Sequence, residues 1–343
     1  MTKSKRKVFT LFLYISLLFI LSLGGIKFTE GTKISPEHTL KTLRLGLPGI
    51  SNSTLEAGGI AVHNKYFEEE LAKEGYKLEI VFFQQAGPAL NEALASNKID
   101  VALYGDLPIA ILKSKGADVK VFAIDNSNLQ FGTIVQNESQ AKTIADLQGK
   151  KVIYGKGTVQ QRYFNAITKS YQLDPKNFEM VNSVGADANS VFSGRQADAI
   201  FAFYYTVLFM ESKGMGRVIE STLDKPEISS QSLAVGRNEY LVQNERAAVA
   251  MIRGLKRAKE FAAQNPSAAY NIFAKNNIPA AVYEKAYSAD LEFKNFEPEI
   301  TSASIDKLNH LVDFLIENKL INTRVDVNDL ITTKYYQLFL QDK

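Results

Sequence analysis

The chain has 343 residues, 45% hydrophobic and 22% charged, an ordinary globular composition long enough for one large or two medium cores. It has no cysteine, which excludes disulfides, thiolate metal sites and a cysteine nucleophile, and its three histidines, His38, His63 and His310, have no ligand spacing. The formal charge of +3 sits at the start: residues 1–24 hold Lys3, Lys5, Arg6 and Lys7 and no acid, so the remainder stands at 3 minus 4, or −1, which excludes a basic surface for nucleic acid.

In chain order, "MTKSKRK" is a basic leader to the uncharged run Val8 to Ile26. At about 1.5 Å per residue that run reaches roughly 29 Å, close to a bilayer core. Small residues at Ser22 and Gly24 predict an export signal cleaved after Gly24, with an anchor retained to Ile26 as the alternative. A lipid-anchored form would need a cysteine. Residues 25–40 read as a flexible tail.

From there the order of elements occurs twice. "TLRLGLPG" (strand), "LEAGGIAVHNKYFEEELAKEG" (helix), "YKLEIVFFQ" (strand), "PALNEALAS" (helix) and "IDVALYGD" (strand) form one βαβαβ unit. After "QNESQAKTIADLQG" the second runs "KKVIYGKG", "TVQQRYFNAITKSYQ", "FEMVNS", "DANSVFSG" and "ADAIFAFY". Asp100 and Asp198 stand 98 positions apart, and Asn91 and Asn189 fall at the same offset. Alternating strand and helix predicts an α/β protein of two lobes, each a mostly parallel sheet flanked by helices, with a ligand cleft between them at the carboxyl ends of the strands. The expected boundaries are 41–128 for the first part of lobe 1, 129–228 for lobe 2 and 229–343 for the return to lobe 1 with C-terminal helices. In that last part Val249, Ile252, Leu255 and Ala258, and then Leu308, Leu311 and Leu315, recur at helical spacing.

Four loops carry the candidate chemistry. In "GISNSTLEAG", Ser53 and Glu56 have the spacing of a capping box. In "YGDLPIAIL", Asp106 suits a helix cap and Pro108 the first turn. "YGKGTVQQR" turns at Gly155 and Gly157 into a helix start whose free N–H groups suit an anion; its spacing does not fit a nucleotide-binding Walker loop. "AFYYTVLF" reads as an aromatic loop presenting Phe203, Tyr204 and Tyr205. The motifs H-E-x-x-H and G-x-S-x-G do not occur, so neither catalysis nor a cofactor is expected.

"FQQAGPALNEALASNKIDVALYGDLP", "TIADLQGKKVIYGKGT" and "SVFSGRQADAIFAFYY" closely resemble the substrate-binding proteins of ABC importers for aliphatic sulfonates, taurine and nitrate, over about Leu43 to Gln264. The resemblance implies a two-lobed type II periplasmic-binding fold and a non-catalytic, metal-free monomer that captures a small organic oxyanion outside the cytoplasm. It further implies delivery to a permease in the inner membrane with its cytoplasmic ATPase. Carried over position by position, it implies ligand contacts at Ser51, Asn52, Gly105, Asp106, Leu107, Gly157, Thr158, Val159 and Tyr204. Where such proteins commonly show Trp-Asp-Pro, this chain has Phe203-Tyr204-Tyr205, which alters the wall facing the ligand's tail and removes an acid suited to an amine. Binders of thiamine-precursor pyrimidines share the architecture and give the second reading. A membrane-tethered sensor and an enzyme on the same scaffold are the readings from other classes.

Overall fold

A computed structural model describes residues 40–49 and 55–342; the expected signal or anchor, the tail to residue 39, and Ser51, Asn52 and Ser53 lie outside the described residues. The first βαβαβ unit consists of β1 (Lys41–Pro48), α1 (Glu56–His63), α2 (Tyr66–Lys73), β2 (Tyr76–Phe83), α3 (Gly87–Ala95) and β3 (Val101–Gly105), followed by α4 (Asp106–Ser114) and β4 (Val119–Leu129). The stretch read as one helix is two, because the chain turns at Lys65, which adopts a left-handed φ of 60°. Lobe 2 holds β5 (Phe131–Val135), β6 (Lys151–Tyr154), α5 (Val159–Ser170), β7 (Glu179–Asn182), α6 (Gly185–Ser193), β8 (Ala199–Phe203), α7 (Tyr204–Ser212) and β9 (Arg217–Ser221). The chain then returns through β10 (Ser230–Arg237) to α8 (Asn238–Gln243), α9 (Glu245–Gln264), α10 (Pro266–Phe273), α11 (Ala280–Ala286), α12 (Ser302–Glu317), α13 (Val327–Leu330) and α14 (Lys334–Gln341).

The two five-stranded sheets have the same plan. Their orders are β2-β1-β3-β10-β4 and β7-β6-β8-β5-β9. In each, three strands of a βαβαβ unit pair in parallel, and the next strand inward runs antiparallel to both of its neighbours. That strand is the one arriving from the other lobe: β5 after one intervening residue, Gln130, and β10 after the segment following β9. Both sheets are therefore mixed. The two passages lie side by side, with Leu129 paired to Ser230 and the backbone of Phe131 bonded to Thr222, whose N–H donates to the Phe131 carbonyl at 3.0 Å. Lys307 on α12 ties them further, its Nζ donating to the Ser127 carbonyl and to Ser229 Oγ, both at 2.9 Å.

Each sheet is covered on both faces. One face of the first packs Leu43, Leu45 and Leu47 against α1, α2 and α9, and the other packs Val121, Ile124 and Leu233 against α4 and α12. The helical stripes read from the sequence, Val249 to Ala258 on α9 and Leu308 to Leu315 on α12, are buried in these two cores. The second sheet packs Phe131, Val152 and Phe201 against α5 on one side, and Ile134, Ile153 and Ile200 against α6 and α7 on the other.

The repeated aspartates occupy equivalent places at the start of the third strand of each unit. The Asp100 N–H donates to the Arg44 carbonyl and its Oδ2 accepts from the Arg44 N–H; Asp198 makes the same two bonds with Lys151. Each aspartate thus pins the first strand of its unit to the start of the third. Asp100, 2% exposed, also binds the guanidinium groups of Arg44 and Arg237, each at 2.6 Å. Both lie at the strand ends opposite the cleft, so they serve the fold alone. Asp100→Ala should cost on the order of 3 kcal/mol by urea denaturation, because two arginines lose a buried partner, and Asp198→Ala about 1 kcal/mol. Affinity for any cleft ligand should be unchanged in both variants; a loss of binding without a loss of stability would contradict this placement.

Candidate ligand-binding cleft

The carboxyl ends of the two sheets face each other across a cavity of about 530 Å³, a size that suits a small organic molecule. Lobe 1 contributes Pro48 and Gly49 at the end of β1, the first turns of α1, and Asp125 and Ser232 on the two crossing strands. Lobe 2 contributes Tyr154 and Gly155 at the end of β6, Ser183 to Ala186 at the start of α6, and Phe203, Tyr205 and Phe209. Asn276, Asn277 and Ile278, between α10 and α11, complete the wall.

Two carboxyl groups stand in that wall. Asp125, 3% exposed, accepts from the Gly58 N–H at 2.6 Å through Oδ1 and from Ser232 Oγ at 2.7 Å through Oδ2. The close approach of α1 requires glycine here, since a Cβ on Gly58 would stand 2.3 Å from a Leu103 methyl. Glu56, 8% exposed, turns Oε2 inward to the Asn126 side-chain amide and to the Tyr287 hydroxyl, the latter at 2.9 Å. Ser53, its partner in the capping box read from the sequence, lies outside the described residues, and Glu56 is the first residue of α1 after the cap Leu55 rather than the third. Glu56 is the first residue of α1 with φ at 64°, a left-handed conformation that a glutamate adopts at a cost of about 1 kcal/mol or more. Burial pushes the Glu56 carboxyl up to about 8, helped by the charge of neighbouring Asp125, and burial alone pushes Asp125 up to about 6. Among the described residues of the wall there is no lysine, arginine or histidine.

Rings form the opposite side. Phe203 stacks on Tyr205 with centroids 5.4 Å apart and planes 8° from parallel, and on Phe131 of the lobe 2 core at 5.3 Å. Tyr205 in turn meets Tyr283 of α11 at 5.3 Å.

The helix starts expected to hold an anion are brought together, but against each other rather than around the cavity. None of Gly105, Asp106, Leu107, Gly157, Thr158, Val159 and Tyr204 is in the wall of the large cavity. The α5 start packs on the α4 start so tightly that a Cβ on Gly105 would stand 2.2 Å from Val159 Cγ1. Asp106 is not the cap of α4, which is Gly105, but its first residue; fully buried, it pairs with Arg162 of α5 and accepts from the Gln231 N–H at 3.1 Å. Leu107 lies in the lobe 1 core. The Gly157 N–H is taken by Gln161 Oε1 at 2.7 Å, and the Thr158 hydroxyl by the Gly155 carbonyl at 2.7 Å. The expected aromatic loop is instead the first turn of α7, and that helical phase sends Tyr204 toward Val207 and Gly132 in the lobe 2 core and Tyr205 to the cavity. Tyr204 does border a second, small cavity of about 30 Å³ behind Glu56 and Tyr205.

Sequence reasoning thus missed Glu56, Asp125 and the α6 start. An aspartate inside the apolar run "VFAID" was the one available signal for Asp125, since an acid in a buried strand needs a reason to be there. Among the described residues no cluster of three or more metal-ligating acids or histidines exists, and no helix is long and apolar enough to cross a membrane.

Two α/β lobes joined by paired crossings around a shared cavity define a periplasmic-binding-type fold. Residues 60–269 match the family described as NMT1/THI5 like, and since that is more than half of the chain, the protein belongs to this family. A curated relative from Bacillus subtilis (strain 168), named "Putative aliphatic sulfonates-binding protein", is 23% identical over 97% of both chains. The structure of the periplasmic sulfonate-binding protein SsuA from Methylobacillus flagellatus KT is similar with a TM-score of 0.73 and 25% identity, covering 89% of this chain and 95% of that one. The alkanesulfonate-binding protein SsuA from Xanthomonas axonopodis pv. citri, bound to MOPS, superposes with the same TM-score at 19% identity, covering 85% and 98%.

The raised carboxyls give a stability signature with a definite sign. The folded protein holds protons that the unfolded chain, with ordinary values of 4.5 and 3.8, has released, so the contribution of these two groups to stability is fully present below those values and is lost as pH rises through the window to about 8. Glu56→Gln removes the larger part of this slope. Melting temperature should fall between about pH 5 and pH 8 in the native protein and much less in the variant, which should be the more stable of the two at the upper end. Parallel curves for the two proteins would show that Glu56 ionises normally.

Proposed function

We infer that the protein is an extracytoplasmic solute-binding protein that captures a small organic oxyanion of the sulfonate type between its lobes and delivers it to an ABC import permease. The observation that carries this reading is the cavity at the facing carboxyl ends of two sheets, where both lobes supply wall and neither alone encloses a ligand. The sulfonate part is supported by the names of the relatives. It is also supported by the start of α6, where the cap residue Val184 gives no side-chain bond and Ser183, Gly185 and Asn189 line the cavity, so that backbone N–H groups at the positive end of a nine-residue helix face it. Capture, rather than turnover, is supported by the relatives, which are named as binding proteins. Gly105, Asp106, Gly157, Thr158 and Val159 then act in closure, as the surfaces that meet when the lobes come together, and Leu107 as core support.

The test is to purify the full chain, denature it, and identify by mass spectrometry any small molecule released, then refold it and titrate organosulfonates. A ligand present at about a hundred times its dissociation constant should stabilise the protein by roughly 2.7 kcal/mol. Release of a sulfur oxyanion or a saturable shift with a sulfonate supports the reading. No released solute together with no shift for any organosulfonate overturns it.

A further inference from the structure

We propose that Lys307 is a charge that weights the molecule towards its open form: it is bonded to both crossings between the lobes, and its ammonium opposes the approach of Arg162 when the lobes shut. This device belongs to the hinge rather than the cavity and works whichever solute is captured.

The placement of three charges carries it. Lys307, on α12 of lobe 1, donates from Nζ to the Ser127 carbonyl on the outgoing crossing and to Ser229 Oγ on the returning one. Ser230, the next residue of the return, has its Oγ 3.4 Å from Arg162 Nη1, the guanidinium that lobe 2 sets against Asp106. Two cations and one acid therefore meet beside the crossings. Asp106 gives Oδ2 to Arg162 and to the Gln231 N–H, and its Oδ1, also buried, accepts nothing among the described residues. The ammonium is left with uncharged partners and one of its three N–H groups uncommitted. The groups that face it are Asp106 from α4, Arg162 from α5, the Ser127 carbonyl from β4 and the Ser229 hydroxyl from the segment before β10; only the first two carry charge. Burial pushes Lys307 down to about 8, Arg162 adds to this, and Asp106 opposes it. Parting the lobes changes each of these influences in one direction. Arg162 leaves with lobe 2, Asp106 stays in lobe 1 with Lys307, and water enters, so the ammonium loses a like charge and keeps an opposite one. Lys307 thus holds its proton less firmly in the shut form than in the open one. By linkage the shut form gains on the open as pH rises from about 8 towards the ordinary 10.5, and at neutral pH, where the lysine is charged in both, the shut form carries the whole penalty.

Single-molecule energy transfer on the full chain, freed of solute by denaturation and refolding, tests this. Gln85→Cys and Asp187→Cys supply the dye sites; both positions are exposed, each is next to a wall residue of its own lobe, Gln84 or Ala186, and the chain has no other cysteine. With Lys307 in place, the ratio of shut to open molecules should rise by up to about tenfold per pH unit between about pH 8 and pH 10.5. In Lys307→Met the ratio at pH 7 should already be about tenfold higher or more, and the rise should be gone. Lys307→Gln separates charge from hydrogen bonding, because it keeps a donor for the Ser127 carbonyl without the charge; it should behave as Lys307→Met does. A native melting transition identifies a folded variant, and Lys307→Gln decides the outcome if Lys307→Met does not fold. Three results overturn the proposal: distributions that coincide in all proteins at every pH, a shift towards the open form in the variants, or a glutamine variant that keeps the native distribution at pH 7.

Discussion

Each lobe borrows a strand. β10 lies between β3 and β4, so β4 has no hydrogen-bonded neighbour in its own sheet until the chain has passed through lobe 2 and come back. In the same way β5, entering lobe 2 after one residue, becomes the strand on which β8 and β9 both pair. Because an entering strand must run against the direction of the sheet it joins, its start and the carboxyl ends of the resident strands come to the same edge. That edge is the cleft. The constraint also explains why an acid at the cavity is so rigidly held: Asp125 lies on β4 and Ser232 on β10, neighbours in one sheet, and the bond between them is made within the crossing itself.

Alternation of strand and helix was enough to read two lobes, because period-2 and period-3.6 patterns are local and each unit obeys them. Strand direction was not legible, since an apolar run such as "SLAVG" has the same pattern whichever way it enters a sheet. The matched Asp100 and Asp198 bind the first strand of each unit to the start of the third, at the far end from the cleft, so the repetition read from the sequence is one of architecture. Free N–H groups at "YGKGT" and "YGDLP" were correctly located at helix starts, but sequence does not show what packs on a helix start, and here each packs on the other. Glu56 illustrates the converse. Its spacing from Ser53 fits a local capping box, while its actual partners are 70 and 231 positions away in the chain.

The aromatic pair Tyr204 and Tyr205 is separated by a single step of helical phase. Once β8 ends at Phe203 and α7 starts directly, adjacent side chains point about 100° apart, so one tyrosine enters the core and the next the cavity. A loop reading has no such rule. The stack from Phe131 through Phe203 to Tyr205 then couples the wall of the cavity to the lobe 2 core.

The Asp106–Arg162 pair has a bearing on how easily the molecule opens. It joins α4 of one lobe to α5 of the other in a place almost without solvent, where the side chains are 0% and 5% exposed. Separating the lobes breaks the attraction but returns both ions to water, and for a buried pair those two changes are of similar size and opposite sign. The pair therefore fixes which surfaces meet, and in what orientation, without strongly favouring the shut form. If the cavity holds a solute as proposed, a molecule so balanced would leave the choice between open and shut to that solute, and a few kcal/mol of contact shared between the two lobes would be sufficient to move most of the population from one to the other.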